Sequence, residues 1–174
     1  METAFIKSPL GITKIVGDAD GISVISILSE GDLNTKIPKE LKECVSQLQE
    51  YFDGERNDFT FKLNPRGTDF QQRVWQELLN IPFGKTISYL ELSKKLGDVK
   101  AIRAVASANG RNPLWIVVPC HRVVGTDGSL TGYAGGLWRK KWLLEHETPP
   151  QQQTFFKFLL SHLIIFSYFS HQLI

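Results

Sequence analysis

The sequence feature that most constrains the fold is a change in hydrophobic period near residue 65. In residues 3–28 apolar and polar positions alternate, and turn signals stand at Pro9–Gly11 and Asp18–Gly21. This pattern predicts a β-hairpin or meander. Beyond the linker Asn64-Pro65-Arg66-Gly67, apolar residues recur at helical spacing, which predicts helices. We therefore expect an α+β fold.

The linker also defines the expected domains. Residues 1–63 are predicted to form a small N-terminal strand-and-helix domain, and residues 66–148 a mainly helical domain. In the first domain a helix begins at Pro38 and ends at Asp53-Gly54, because proline favours a first turn and glycine a C-terminal cap. One more strand is expected from alternating apolar residues, namely Phe59, Phe61 and Leu63,.

Two capping boxes mark helix starts in the second domain. They are Thr68 with Gln71 and Ser88 with Glu91,. The second of these helices stops at Gly97, and a third helix, built of small residues, begins near Lys100. Two short helices joined by a turn of about four residues are typical of a helix-turn-helix. An ordinary helical corner has the same pattern, so both interpretations stay open.

Composition limits the possible functions. The 174-residue chain is 42% hydrophobic, enough for one core and a small second one. Its net charge of +2 permits nucleic-acid binding without requiring it,. Two cysteines are too few for a disulfide framework or a four-cysteine zinc site,, so we predict no metal, and Cys44 is expected to be a packing residue. The first residues lack the apolar stretch of a secretory signal,, which indicates a cytoplasmic protein.

A reactive cysteine is the strongest candidate for chemistry. The apolar run 114–118 leads to Pro119-Cys120-His121-Arg122. A thiol with a pKa of about 8.5 needs a base or a nearby positive charge to act as a nucleophile at neutral pH. His121 is the obvious base, and it would reach Cys120 through an irregular turn or a bridging water, with Glu147 orienting its ring. A buried, inert thiol is the alternative interpretation.

The motifs around this cysteine resemble those of the O6-alkylguanine-DNA alkyltransferases, also called methylated-DNA–protein-cysteine methyltransferases. The similarity runs from residue 66 to residue 147. It is carried by motifs in the same order: Gly67-Thr68-Asp69-Phe70-Gln71, Val74-Trp75, Ile81-Pro82-Phe83-Gly84, Ser88-Tyr89, Arg103-Ala104-Val105, Asn112-Pro113, Pro119 to Val124, Gly132-Tyr133-Ala134-Gly135-Gly136 and His146-Glu147.

The resemblance implies an activity and a set of roles. The alkyl group of O6-alkylguanine, and less readily that of O4-alkylthymine, would pass irreversibly to Cys120 in a single turnover without a cofactor. His121 would act through water, Glu147 would hold His121, and Asn112 would brace the turn. The partner would be double-stranded DNA, bound through its minor groove with the damaged base flipped out, and the protein would act as a monomer.

The resemblance also implies contacts to DNA and base. Arg103 would fill the gap left by the flipped guanine, and Tyr89 would crowd a phosphate and touch the base. The remaining DNA-contacting positions are Ala101, Ala104, Arg111 and Arg122. The base pocket would be formed by Tyr133, Val123, Ala134 and Gly135. Ala134 replaces a serine of some relatives, so only its backbone N–H could serve there.

Other functions remain to be weighed. A cysteine hydrolase would use similar side chains but needs an oxyanion hole, for which no motif is visible. A lesion-binding relative without activity would lack the cysteine, and a plain helix-turn-helix regulator would leave the Cys-His motif and Glu147 without a role.

Two features of the C-terminal part complete the predictions. The helix over residues 137–146 is expected to turn Leu137, Trp142 and Leu144 inward and its basic residues outward,. Residues 149–174 form an apolar extension, and the stretch 155–174 is long enough to span a bilayer,. A docked helix, a membrane anchor and an extension without a specific role are all compatible with this segment.

Overall fold

The computed structural model describes residues 1–33 and 36–148, so the predictions for the extension at 149–174 lie outside the described residues. Three strands, β1 (Glu2–Ser8), β2 (Gly11–Asp18) and β3 (Gly21–Leu28), form an antiparallel sheet in the order β1-β2-β3. This confirms the predicted meander. Gly11 and Gly21 turn the chain with φ of 124° and 131°, a region that favours glycine.

The predicted N-terminal helix is confirmed. A 3-10 turn over Lys39–Leu41 leads into α1 (Lys42–Phe52), and the chain leaves the helix through Gly54 with a φ of 78°. The buried face of the helix carries Leu41, Cys44, Leu48, Tyr51 and Phe52. Cys44 is a packing residue as expected, and burial raises its pKa to about 12, so this thiol is unreactive at neutral pH.

The predicted strand at Phe59–Leu63 is wrong. Leu63 makes only an isolated parallel bridge with Ile22, and the ring of Phe59 packs 5.6 Å from that of Tyr51. The apolar alternation therefore reflects aromatic packing against α1 instead of a ladder. A second bridge joins Ile25 to Leu114. The outer edge of β3 is thus covered by two single-bridge contacts, which protects an otherwise open strand.

The second half is helical, as predicted. Its helices are α2 (Asp69–Leu78), α3 (Tyr89–Lys95), α4 (Ile102–Gly110) and α5 (Leu137–His146). Both predicted capping boxes are present, at Thr68 and at Ser88. A 3-10 turn over Val99–Ala101 separates α3 from α4, and the two helices pack against each other. Two short strands, β4 (Ile87–Ser88) and β5 (Val123–Val124), pair in parallel.

Helix α5 packs differently from the prediction. Leu137 is 48% exposed, whereas Leu143 and Lys140 are fully buried. Lys140 points inward because two hydrogen bonds hold its Nζ, which donates to Val123 O at 2.6 Å and to Thr131 O at 3.0 Å. Within residues 1–33 and 36–148, no helix is long and apolar enough to cross a membrane.

Candidate active site

The segment before Cys120 is a buried, irregular turn. Ile116 has a φ of 75°, a left-handed conformation that is costly for a β-branched residue,. Asn112 supports the turn, since its Oδ1 accepts from Leu114 N at 2.9 Å and its Nδ2 donates to Val118 O at 2.7 Å. The turn sets Cys120 at the start of a 3-10 turn over Cys120–Arg122.

Cys120 is a buried, protonated thiol in the resting protein. Its side chain is 4% exposed, and the Nδ2 of Asn112 lies 3.1 Å from Sγ. Burial raises the pKa of Cys120 to about 11, and the Asn112 contact and the nearby Lys140 charge oppose this shift. A reaction at neutral pH therefore needs a group that removes the thiol proton.

His121 supplies an acceptor for that proton. Its Nε2 lies 2.8 Å from Glu147 Oε1, and its Nδ1 is buried without a hydrogen-bond partner among the described residues. Because Glu147 is ionised, Nε2 carries the hydrogen and Nδ1 is the free acceptor. Burial lowers the pKa of His121 against the opposing hydrogen bond from Glu147, so the ring is neutral and able to accept a proton.

Glu147 is the most heavily hydrogen-bonded side chain of the site. Oε1 accepts from Tyr51 Oη at 2.8 Å and Arg122 Nη2 at 3.0 Å as well as from His121, and Oε2 accepts from Arg122 Nε at 2.7 Å and Gly84 N at 3.3 Å. Burial opposes ionisation, but the bonds from His121 and Arg122 outweigh it and hold the pKa of Glu147 well below its usual range,.

Arg122, one of the predicted DNA contacts, is buried and bonded to Glu147. Arg122 is only 7% exposed. Its guanidinium makes two bonds to Glu147, and its Nη1 donates to Ile81 O at 2.6 Å. A guanidinium with these partners cannot reach a phosphate without breaking a buried ion pair. In this structure the basic side chain of Arg122 serves Glu147, and its contact to DNA stays a prediction.

A cavity of about 480 Å³ opens beside α3, α4 and the glycine-rich loop before α5. Its wall includes Tyr89, Arg103, Tyr133 and Ala134, four of the residues predicted for DNA and base contacts. The hydroxyl of Tyr133 is buried without a partner among the described residues. An unpaired buried hydroxyl beside a cavity is a suitable contact for a polar ligand.

The other predicted residues occupy varied positions. Arg103, Ala104 and Arg111 are exposed on or just after α4, and Ala101 is half-buried. Val123 is fully buried and its carbonyl accepts from Lys140. A Cβ on Gly135 would lie 2.6 Å from the ring of Trp115, so this position requires glycine.

Two residues of the site were missed by the sequence analysis. Tyr51 belongs to the apolar face of α1, where a buried tyrosine looks like any packing residue. Lys140 belongs to a basic run that predicts an exposed face. Tyr51 is bonded to Glu147, 96 positions away, and Lys140 to backbone carbonyls outside its own helix. No hydrophobic pattern signals such partners.

These observations describe an α+β protein that carries a buried thiol, next to it a buried histidine bonded to a carboxylate, and a cavity bordered by the helix pair α3 and α4. Comparison with known families identifies it further. Residues 1–65 match the family model for the ribonuclease-like domain of 6-O-methylguanine DNA methyltransferase, and residues 69–149 match the model for its DNA binding domain.

Relatives and solved structures agree with these matches. The methylated-DNA–protein-cysteine methyltransferase of Methanosarcina acetivorans is 43% identical over 84% of this chain and 98% of the relative. That of Mycobacterium tuberculosis is 45% identical over 82% of this chain and 89% of the relative. The crystal structure of the M. tuberculosis O6-methylguanine methyltransferase superposes with a TM-score of 0.76 at 42% identity, covering 88% of this chain and 98% of that one.

A further structure shows M. tuberculosis OGT in complex with DNA. It superposes with a TM-score of 0.77 at 44% identity and covers 84% of this chain and 93% of that chain. The chain belongs to the methylated-DNA–protein-cysteine methyltransferase family.

Proposed function

We propose that this protein repairs DNA by moving the alkyl group of O6-alkylguanine onto its own Cys120. The observation that carries the proposal is the buried set of Cys120, Asn112, His121 and Glu147. Asn109 links this set to the cavity, because its Nδ2 lies 3.5 Å from Cys120 O and 3.5 Å from the hydroxyl of Tyr89 in the cavity wall. Family membership supports the same reaction, since the similar proteins are named for it.

The reaction starts with a proton transfer. A water between Sγ and His121 Nδ1 takes the thiol proton and passes it to the ring, and Glu147 stabilises the imidazolium that forms. The low pKa of Glu147 keeps it ionised for this purpose. Asn112 Nδ2, at 3.1 Å from Sγ, stabilises the developing thiolate,.

The thiolate then displaces guanine from the alkyl carbon. A sulfur–carbon bond forms, the bond between that carbon and O6 breaks, and the electron pair of the broken bond stays on guanine. The imidazolium can return the proton, through water, to neutralise the released base. The product is a thioether on Cys120, which has no route back to the thiol, so each molecule acts once.

Binding is proposed to use α3 and α4 as a helix-turn-helix. Small residues line the exposed side of α4, including Ala104 and Gly110, and allow a close approach to the minor groove,. Arg103 would take the place of the flipped base, whose extrusion costs a few kcal/mol. Tyr89 would contact the backbone and base, and Arg111 a phosphate. The wall of the cavity, with Tyr133 and the backbone of Ala134, would hold the guanine.

Several finer predictions belong to the same proposal. We infer a division into an N-terminal unit at 1–63 and a DNA-binding, catalytic unit at 66–148, acting as a monomer in the cytoplasm. O4-alkylthymine is the proposed weaker substrate. The proposed reaction requires no metal or cofactor.

The proposed function is tested by measuring how much guanine is restored in the DNA. A duplex with one O6-methylguanine is incubated with the protein, digested to nucleosides and analysed for restored guanine. Restoration that stops at one guanine per protein molecule is the expected result, and Cys120→Ala should restore none. Continued restoration beyond that ratio would contradict a self-alkylating mechanism.

A further inference from the structure

Helix α1 places the hydroxyl of Tyr51 inside the catalytic cluster. Tyr51 is fully buried, and its hydroxyl donates to Glu147 Oε1 at 2.8 Å, across 96 positions of sequence. Its ring contacts those of Phe52, Phe59, Phe83 and His146. We propose that Tyr51 is a positioning residue of the relay, which limits the charge on Glu147 and so keeps His121 in its neutral, proton-accepting form.

Tyr51 and His121 share one oxygen of Glu147. Glu147 Oε1 accepts from the Tyr51 hydroxyl and from His121 Nε2 at the same distance of 2.8 Å. Each donor takes up part of the negative charge on that oxygen. Without the Tyr51 hydroxyl, more charge would act on the imidazole, and a protonated ring would be favoured. A ring that is already protonated cannot accept the proton of Cys120.

The other ionisable groups around the relay cannot replace this contribution. His121 is faced by Glu147, Arg122, Lys140 and the Cys120 thiol, and Tyr133 lies close enough to Glu147 and Tyr51 to affect their charges. Arg122 already uses Nε and Nη2 on Glu147, and Lys140 is held by two backbone carbonyls. His146 Nε2 lies 2.7 Å from the backbone carbonyl oxygen of Tyr51, and the two rings pack edge to face, so His146 makes no bond with the Tyr51 hydroxyl.

Through Tyr51, the N-terminal part of the chain would contribute to catalysis. Tyr51 lies in the segment matched by the ribonuclease-like family model, whereas the relay residues lie in the segment matched by the DNA-binding model. Docking of the first segment thus completes the hydrogen bonding of the second. The role of Tyr51 rests on the proposed function, because it acts through the relay of that reaction.

The first test measures the titration of His121 in the full protein without DNA. Nitrogen-15 NMR of the histidine rings, with His121→Gln for assignment, gives the midpoint. Tyr51→Phe should raise this midpoint by about half a pH unit or more, because one donor to the carboxylate is lost. Phe59→Leu is the matched control, since it disturbs the same aromatic cluster and keeps the hydroxyl; its midpoint should equal that of the wild type.

A second variant tests the direction of the shift in the His121 midpoint. With 3-fluorotyrosine at position 51, the hydroxyl becomes a stronger donor, and the His121 midpoint should fall. An unchanged midpoint in Tyr51→Phe, an equal rise in Phe59→Leu, or a rise with 3-fluorotyrosine would each overturn the proposal.

The kinetic readout is the reaction of Cys120 with free O6-benzylguanine between pH 5 and 9. The acid limb of the Tyr51→Phe profile should move to higher pH by the shift that NMR gives, and a limb that stays in place would also overturn the proposal. Failure of the wild-type protein to react would count against the proposed function, while the NMR titration would still decide whether Tyr51 controls His121.

Discussion

Arg122 and Glu147 form a buried ion pair with two contacts, Nε to Oε2 at 2.7 Å and Nη2 to Oε1 at 3.0 Å. The same carboxylate holds His121. Glu147 therefore takes part both in a buried ion pair that stabilises the fold and in the bond that orients His121. Substitution of Arg122 should mainly lower stability, and substitution of Glu147 should also slow the reaction.

Arg122→Ala should destabilise the protein without a direct effect on DNA contacts. Removal of one partner of a buried pair leaves an uncompensated charge and costs about 3–5 kcal/mol. Denaturant unfolding measures this loss. Arg111→Ala is the matched control, because Arg111 is exposed; its stability should change by less than about 0.5 kcal/mol, while its binding to duplex DNA weakens. An Arg122→Ala variant that stays stable but binds DNA weakly would support the DNA contact that the resemblance implies for Arg122.

Glu147→Gln should slow alkyl transfer by a factor on the order of 10² and leave it measurable. Glutamine keeps the shape of the side chain but removes the charge that stabilises a protonated His121. Because the thiol then loses its proton less readily, raising the pH should restore part of the rate. The exposed neighbour Glu145 provides a control, since Glu145→Gln should react as the wild type does. A wild-type rate for Glu147→Gln at neutral pH would show that the relay is wrong.

The sequence predicted most of the fold because most of it is local. Alternation identified the meander, and the capping boxes at Thr68 and Ser88 were read directly from spacing. The predicted strand at Phe59–Leu63 failed because aromatic packing produces the same alternation as a ladder. Leu137 and Lys140 were placed on the wrong sides of α5 because a buried lysine depends on carbonyls elsewhere in the chain.

For the candidate site, the Cys-His motif and the resemblance both pointed to Cys120, His121 and Glu147, and the structure brings these residues together. Their partners were harder to predict. The resemblance placed Arg122 among the DNA contacts, and only the fold reveals that its guanidinium meets a buried carboxylate. Tyr51 comes from the other half of the chain, where its sequence context is that of an apolar helix face.

Arg103→Ala should slow repair of duplex DNA far more than reaction with free O6-benzylguanine. The exposed Arg103 borders the cavity, and its proposed task, filling the gap left by the flipped base, exists only in duplex DNA. Rates on both substrates give the comparison. Lys141→Ala removes an exposed basic residue on a different helix and should change neither rate. Equal losses on the two substrates for Arg103→Ala would exclude the proposed task.

The resting thiol should react slowly with iodoacetamide at neutral pH. Burial raises the pKa of Cys120 to about 11, so the thiolate fraction, and with it the rate, should rise from pH 7 toward pH 11. A Cys44→Ala background leaves Cys120 as the single thiol of the sequence. In that background Asn112→Ala should react still more slowly at each pH, because it removes the donor that stabilises the thiolate. A faster reaction would contradict this role of Asn112.

The proposed reaction makes Cys120 itself the acceptor of the alkyl group. Intact-protein mass spectrometry after incubation with excess O6-methylguanine duplex measures this directly, and peptide fragmentation locates the modification. We expect one added methyl per molecule, on Cys120, and no added mass in Cys120→Ala. Repair of the duplex with an unmodified protein, or a methyl on any other residue, would contradict it.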